Sequence, residues 1–308
     1  MSGFSATEAA LEGFRVTREN PKAFGVWVIV SFAISVLGVV IDGFMPGSIK
    51  AGLDAINAEE VLTPQQFVDT LILIAPILVL GLAVLSVMAA AVYRLIFRHD
   101  DTRFGYLRLG ADELRLMGLT VIFMGIAIGL VVSVGMAVGV LVVLISTVVP
   151  AAATFASLVG TVFSFGVIIY VLVRLSLAPV ATFAERRLAI FESWTLTRGQ
   201  FWPLFSAYFL AVICIIAVGV LLMTVFAGVA GAVALMMGRQ LSDVKAIFAA
   251  DGANLRSHLS IGVIAYAIVN SVLSALYNAV IAAPGAVAYR DLHGWPPAQP
   301  LSVQPEAG

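Results

Sequence analysis

Charge is scarce in this 308-residue chain. Only 11% of its residues are Asp, Glu, Lys or Arg, against about a quarter in a soluble domain, too few to solvate a globule of this size. The net charge of −1 provides no field for nucleic acid, and no nucleic-acid partner is expected. Cysteine occurs once, as Cys214 inside an apolar run; an internal disulfide is excluded, and a small packing residue remains. The three histidines, His99, His258 and His293, lie in connections or the tail without HxxxH or HExxH spacing, so neither a metal nor a cofactor is read from them. No Walker-type phosphate loop occurs, and no histidine lies near Cys214 in sequence. The acid pairs Glu59-Glu60, Asp100-Asp101 and Asp112-Glu113 sit in connections, where solvated faces and helix caps are the ordinary roles. With no catalytic constellation, the chain reads as non-enzymatic.

Apolar sequence fills the space that charge leaves. Hydrophobic residues make up 61% and the mean hydropathy is +1.06. Six runs reach membrane-spanning length, at 24–44, 69–97, 117–147, 153–174, 203–236 and 259–288, by the threshold of about 18 mostly apolar residues. None alternates strictly, so helices rather than barrel strands are expected. Spans three and five exceed what a bilayer needs, which implies tilt, a kink or extension into water. Glu8, Glu12 and Glu19 precede the first span and argue for a retained anchor rather than a cleaved signal. In span three, Gly125, Gly129, Gly135 and Gly139 form pairs four apart, a spacing that lets helices approach closely. The last residues, 293–308, are Pro-rich and read as a disordered tail.

Orientation follows from the basic residues. Four of the seventeen Lys and Arg (Lys50, Arg239, Lys245 and Arg256) fall in the connections after odd-numbered spans, and the other thirteen lie on the side of the termini. Positive residues stay cytoplasmic, so both termini are placed in the cytoplasm of a bacterial cell. The expected location is the bacterial cytoplasmic membrane, with membrane lipids as partners and a membrane or cytoplasmic protein as a further one.

A polar phrase appears twice. LEGFRVTREN at 11–20 and FESWTLTRGQ at 191–200 share Glu12/Glu192, Thr17/Thr197 and Arg18/Arg198, with an aromatic at Phe14/Trp194. Each precedes an odd-numbered span, as does FGYLRLGADELRL at 104–116, whose Phe104, Leu107, Ala111 and Leu114 recur at helical spacing. The even spans end alike too, in AAVYR at 90–94 and AVAYR at 286–290. The expected fold is all-α and integral to the membrane, with six transmembrane helices over residues 1–292. They form three hairpin repeats of about 1–98, 99–180 and 181–292, each opened by a short cytoplasmic-side amphipathic helix.

The segment APVATFAERRLAIFESWTLTRGQFWPLF, 178–205, carries Pro179, Glu185, Ser193, Leu196, Thr197 and Gly199. Over about thirty residues it resembles the bacterial membrane domain found fused to some glycerophosphoryl diester phosphodiesterases, and related stand-alone multi-span proteins. The resemblance implies a helical module that anchors or assists while an attached domain performs chemistry; no such domain is expected among these residues.

Two sets of residues stand out. Arg174, Trp194, Arg198 and Trp202 are expected where acyl chains give way to headgroups, because Trp and Arg each pair an apolar body with a polar end. Tyr266, Asn270, Ser274 and Tyr277 fall within about a quarter of the circumference of span six and offer either interhelical hydrogen bonds or a substrate-facing surface. The expected function is to bind or organise lipid or a protein partner at the cytoplasmic face. The alternative is a transporter or channel lined by that polar face of span six.

Overall fold

The computed structural model describes residues 4–44, 63–97, 103–236 and 261–293, with single positions at 47, 52 and 238. Nine α-helices and no strand occur among the described residues: α1 Ala6–Glu19, α2 Pro21–Phe44, α3 Pro64–Phe97, α4 Ala111–Val148, α5 Ala153–Leu175, α6 Ala178–Glu185, α7 Ile190–Leu196, α8 Phe201–Met236 and α9 Ile261–His293. Six of them, α2, α3, α4, α5, α8 and α9, are long and apolar enough to cross a membrane. At 38 residues, α4 extends about 57 Å, well beyond the roughly 30 Å hydrocarbon layer. The Pro-rich tail at 294–308, His99, His258 and the pairs Glu59-Glu60 and Asp100-Asp101 lie outside the described residues.

Burial is concentrated at the end of the bundle that carries the termini. Met88 to Ile96 of α3, Val173 to Leu175 of α5, Val180 to Phe183 of α6 and Ala275 to Tyr289 of α9 supply most of the core. Away from that end, large apolar side chains stand open, among them Val131, Val140, Phe155, Phe163, Val220 and Val229. So large an uncovered apolar surface has no counterpart in soluble monomers, whereas lipid is an equally apolar surrounding for it. Six long apolar helices with this exposure fit a multi-pass membrane protein.

The core is closed by small residues. Ser5 caps α1 by accepting from the Glu8 amide at 3.4 Å, and Ala9, Ala10, Gly13, Val16 and Thr17 place one buried face at helical spacing. From Ala9 to Gly13 the contacts pass from Val287 back to Val280 and Ala279, so α1 runs antiparallel to α9. A Cβ on Gly13 would stand 2.5 Å from Val280 Cα, which makes this a backbone-to-backbone approach. Thus α1 is docked against α8 and α9 instead of lying free on the bilayer surface, as a surface-lying amphipathic helix would. The glycines expected to mediate close packing do not do so among the described residues: a Cβ at Gly125, Gly129, Gly135 or Gly139 would meet nothing within 4 Å. Between α4 and α5 the tight point is Gly160, where a Cβ would run into Val138.

The segment 104–116 also departs from expectation. It is not one helix: residues 103–106 make a 3-10 turn, and Ala111 already begins the long α4. Phe104, Gly105 and Tyr106 have φ of 49°, 62° and 67°, a left-handed run that is costly for the two aromatics. Neighbours hold it in place. The Trp27 indole donates to the Gly105 carbonyl at 2.6 Å, and Arg94 Nη1 donates to the Tyr106 carbonyl at 3.1 Å.

Candidate functional site

Five of the six long helices surround one cavity. Leu85, Ser86, Ala89 and Tyr93 of α3, Leu116 and Thr120 of α4, and Ile169, Leu172 and Val173 of α5 line one part of it. Phe205, Tyr208, Phe209 and Val212 of α8, Tyr277, Asn278, Ile281 and Ala282 of α9, and Ser176 and Pro179 complete the wall. The volume is about 760 Å³, within the range of about 300–1,000 Å³ typical of small-molecule sites. From Leu85 to Tyr93 the wall runs about 12 Å along α3. No residue of α2 lines it; α2 packs outside, chiefly against α9.

The wall carries no ionisable acid or basic group. Its polar atoms are mostly occupied by the protein itself. Ser86 Oγ donates to Leu82 O at 2.8 Å, Thr120 Oγ1 to Leu116 O at 2.9 Å and Ser176 Oγ to Val173 O at 2.8 Å. Tyr208 donates to Ser176 O at 3.4 Å, and Asn278 Nδ2 to Ser274 O at 2.8 Å. These groups therefore present a largely apolar surface. Toward the termini, Val180, Phe183, Ala283 and Ala286 belong to the packed core, all 1% exposed or less.

The charges that the spans do carry are turned elsewhere. Arg94 forms an ion pair with Glu113, both buried, and its guanidinium stacks 5.7 Å from the Phe183 ring. Glu113, expected as part of a solvated acid pair, is instead 3% exposed. No sequence signal connects it to Arg94, because the two meet only when α3 and α4 pack. Arg174 is buried as well, its guanidinium 4.6 Å from the Trp194 ring. Its carbonyl accepts from Ser193 Oγ at 2.8 Å and Thr197 Oγ1 at 3.2 Å.

The interfacial residues are thus brought together in part. Arg174 and Trp194 meet, with Tyr170 edge-on to Trp194 at 6.1 Å. Arg198 is exposed, and Trp202 is 73% exposed while packing on Phe201 and Phe205. Beside them Arg187 bridges Glu185, at 2.7 Å, and Glu192. Partial burial, then hydrogen bonding to Glu185, raises the Glu192 carboxyl above its ordinary value. The two copies of the repeated phrase share a local geometry: Thr17 donates to the Gly13 and Phe14 carbonyls, and Thr197 to those of Ser193 and Trp194.

The span-six residues Tyr266, Asn270, Ser274 and Tyr277 are all exposed. Tyr277 and Ile281 line the cavity, and helical spacing places Tyr266, Asn270 and Ser274 on the same side of α9 as those two. The stripe therefore prolongs the cavity wall toward the opposite end of the bundle. Tyr93, Thr120, Ser176 and Tyr208 were not legible as a group, since one polar residue per helix forms no pattern along a chain.

Among the described residues no cluster of three or more His, Cys, Asp or Glu could hold a metal. No family model, curated protein or solved structure matches this chain. The resemblance over 178–205 rests on those residues alone.

Proposed function

We propose that this chain is a non-enzymatic, multi-pass protein of the bacterial cytoplasmic membrane that holds a lipid between spans two to six, near the cytoplasmic face. The observation that carries this reading is the uncharged cavity of about 760 Å³ walled by five helices. Apolar walls favour an apolar occupant by roughly 25 cal/mol for each Å² removed from water, and acyl chains are the most abundant such occupant in a bilayer. The cytoplasmic side is assigned from the thirteen basic residues gathered there. Three hairpin units, each opening with a short cytoplasmic segment, remain our reading of the architecture. The shared hydrogen-bond pattern of Thr17 and Thr197 supports it. Against close hairpins, α2 and α3 touch less than either touches α9.

Photo-crosslinking in vesicles with a lipid bearing a diazirine on its acyl chain tests the site. Adducts on Ser86, Thr120 and Tyr208 are expected. Adducts confined to outward-facing residues such as Ile128 and Val140 would remove the proposal.

A second reading is favoured by the stripe at Tyr266, Asn270, Ser274 and Tyr277. A polar track leading from the cavity along α9 suits a carrier for lipid or another small molecule. Export or flipping of the same lipid in reconstituted vesicles, lost on Asn270→Leu, would favour transport over retention.

A further inference from the structure

A wall tyrosine whose hydroxyl makes no hydrogen bond indicates what kind of lipid the cavity takes. Tyr93 is 5% exposed, lines the cavity, and packs its ring 5.6 Å from Phe183. Among the described residues its hydroxyl makes no hydrogen bond. The other buried or half-buried donors of the wall are satisfied by backbone carbonyls. A ligand oxygen that accepts from this hydroxyl adds a hydrogen bond that the protein does not make itself.

Position sharpens the argument. Tyr93 lines the cavity together with Pro179 and Ala282, whose chain neighbours Val180 and Ala283 are buried, as are Phe183 and Ala286. A lipid head lodged there meets no charged side chain of the wall. Phosphate would need several donors or a cation, and a buried anion without one is strongly disfavoured. Neither nearby guanidinium lines the cavity: Arg94 is committed to Glu113 and the Tyr106 carbonyl, and Arg174, whose Nε is buried without a partner, lies against Trp194. A neutral head with an oxygen acceptor meets both conditions.

We infer that the cavity selects an uncharged lipid whose head oxygen accepts from the Tyr93 hydroxyl, in preference to a phospholipid. This rests on the lipid-binding reading above and specifies the ligand class of the same site. The test uses the full chain in phosphatidylcholine nanodiscs doped with labelled dioleoylglycerol or labelled dioleoylphosphatidylglycerol. Wild type is expected to retain the diacylglycerol over the anionic lipid. Tyr93→Phe, which removes one oxygen and keeps the ring on Phe183, is expected to weaken diacylglycerol retention about five-fold, the worth of one net hydrogen bond. Ala282→Phe, which fills the floor, should abolish retention of both. Equal retention of the two lipids by wild type, or no change in Tyr93→Phe, overturns the inference while Ala282→Phe still reports on the cavity. Retention that survives both Ala282→Phe and Ser86→Phe overturns the cavity reading itself.

Discussion

Arg94, in the last turn of α3, and Glu113, in the first turn of α4, form an ion pair in which both side chains are about 5% exposed. The pair joins the second and third spans across the turn at 103–106. Arg94 also holds that turn through the Tyr106 carbonyl, while Glu113 Oε2 is buried without a partner. Taking either residue away leaves an uncompensated buried charge, which costs about 3–5 kcal/mol. Arg94→Leu and Glu113→Leu should therefore each sharply lower the thermal unfolding temperature in detergent. The double substitution should cost less than either single one. Additive losses would show that the pair is not the interaction at stake.

Gly13 is where α1 meets the backbone of α9. A methyl group there, 2.5 Å from Val280 Cα and 2.7 Å from Ala279 O, must push the two helices apart. Gly13→Ala should cost about 1–3 kcal/mol through overpacking. Gly25→Ala is the control: nothing lies within 4 Å of its Cβ position, and helix propensity favours the change by up to about 1 kcal/mol. Thermal melts of the two variants should move in opposite directions.

Arg174 and Arg198 should separate into two roles. Arg174 is buried over Trp194, and Arg174→Gln is expected to lower stability by about 1 kcal/mol, the scale of a partly desolvated cation–π contact. Arg198 is exposed, and Arg198→Gln should leave the melt unchanged. Its effect should appear in co-purified anionic lipid, reduced a few-fold for a contribution of about 1 kcal/mol per interfacial basic residue. A melt that falls equally for both variants would contradict this division.

The spans were legible because hydropathy is a local property. The expected run at 203–236 lies within α8, Phe201–Met236, and the run at 153–174 within α5, Ala153–Leu175. Pro179 at the start of α6 is a local signal too. What the sequence could not show are contacts set by how the helices rotate against one another. Glu113 looked like half of a solvated pair until α3 supplied Arg94. That Arg174 would be buried under Trp194 of α7 likewise depends on how α5 and α7 pack. The glycine spacing of α4 reads as a packing motif, yet the helix it would pack on is not in this chain's described residues. The cavity gathers its polar residues from several helices, and of these Tyr277 alone belonged to a stripe visible along the chain.

Topology can be measured directly. Reporter fusions after Gly52 and after Asp251 should score as external, and those after Asp101, Glu185 and Pro297 as cytoplasmic. The basic residues on the side of the termini set this expectation. A cytoplasmic score at Asp251 would mean that α8 or α9 fails to cross.

The central claim is that lipid occupies the space between spans two and six. Native mass spectrometry of the full chain, released from nanodiscs, tests it most directly by comparing wild type with Ala282→Phe and Ser86→Phe. Wild type should carry a bound lipid of defined mass, and both substitutions should strip it while the thermal melt stays within about 1 kcal/mol of wild type. Wild type free of lipid, or the same lipid retained by both cavity-filling variants, would contradict the account.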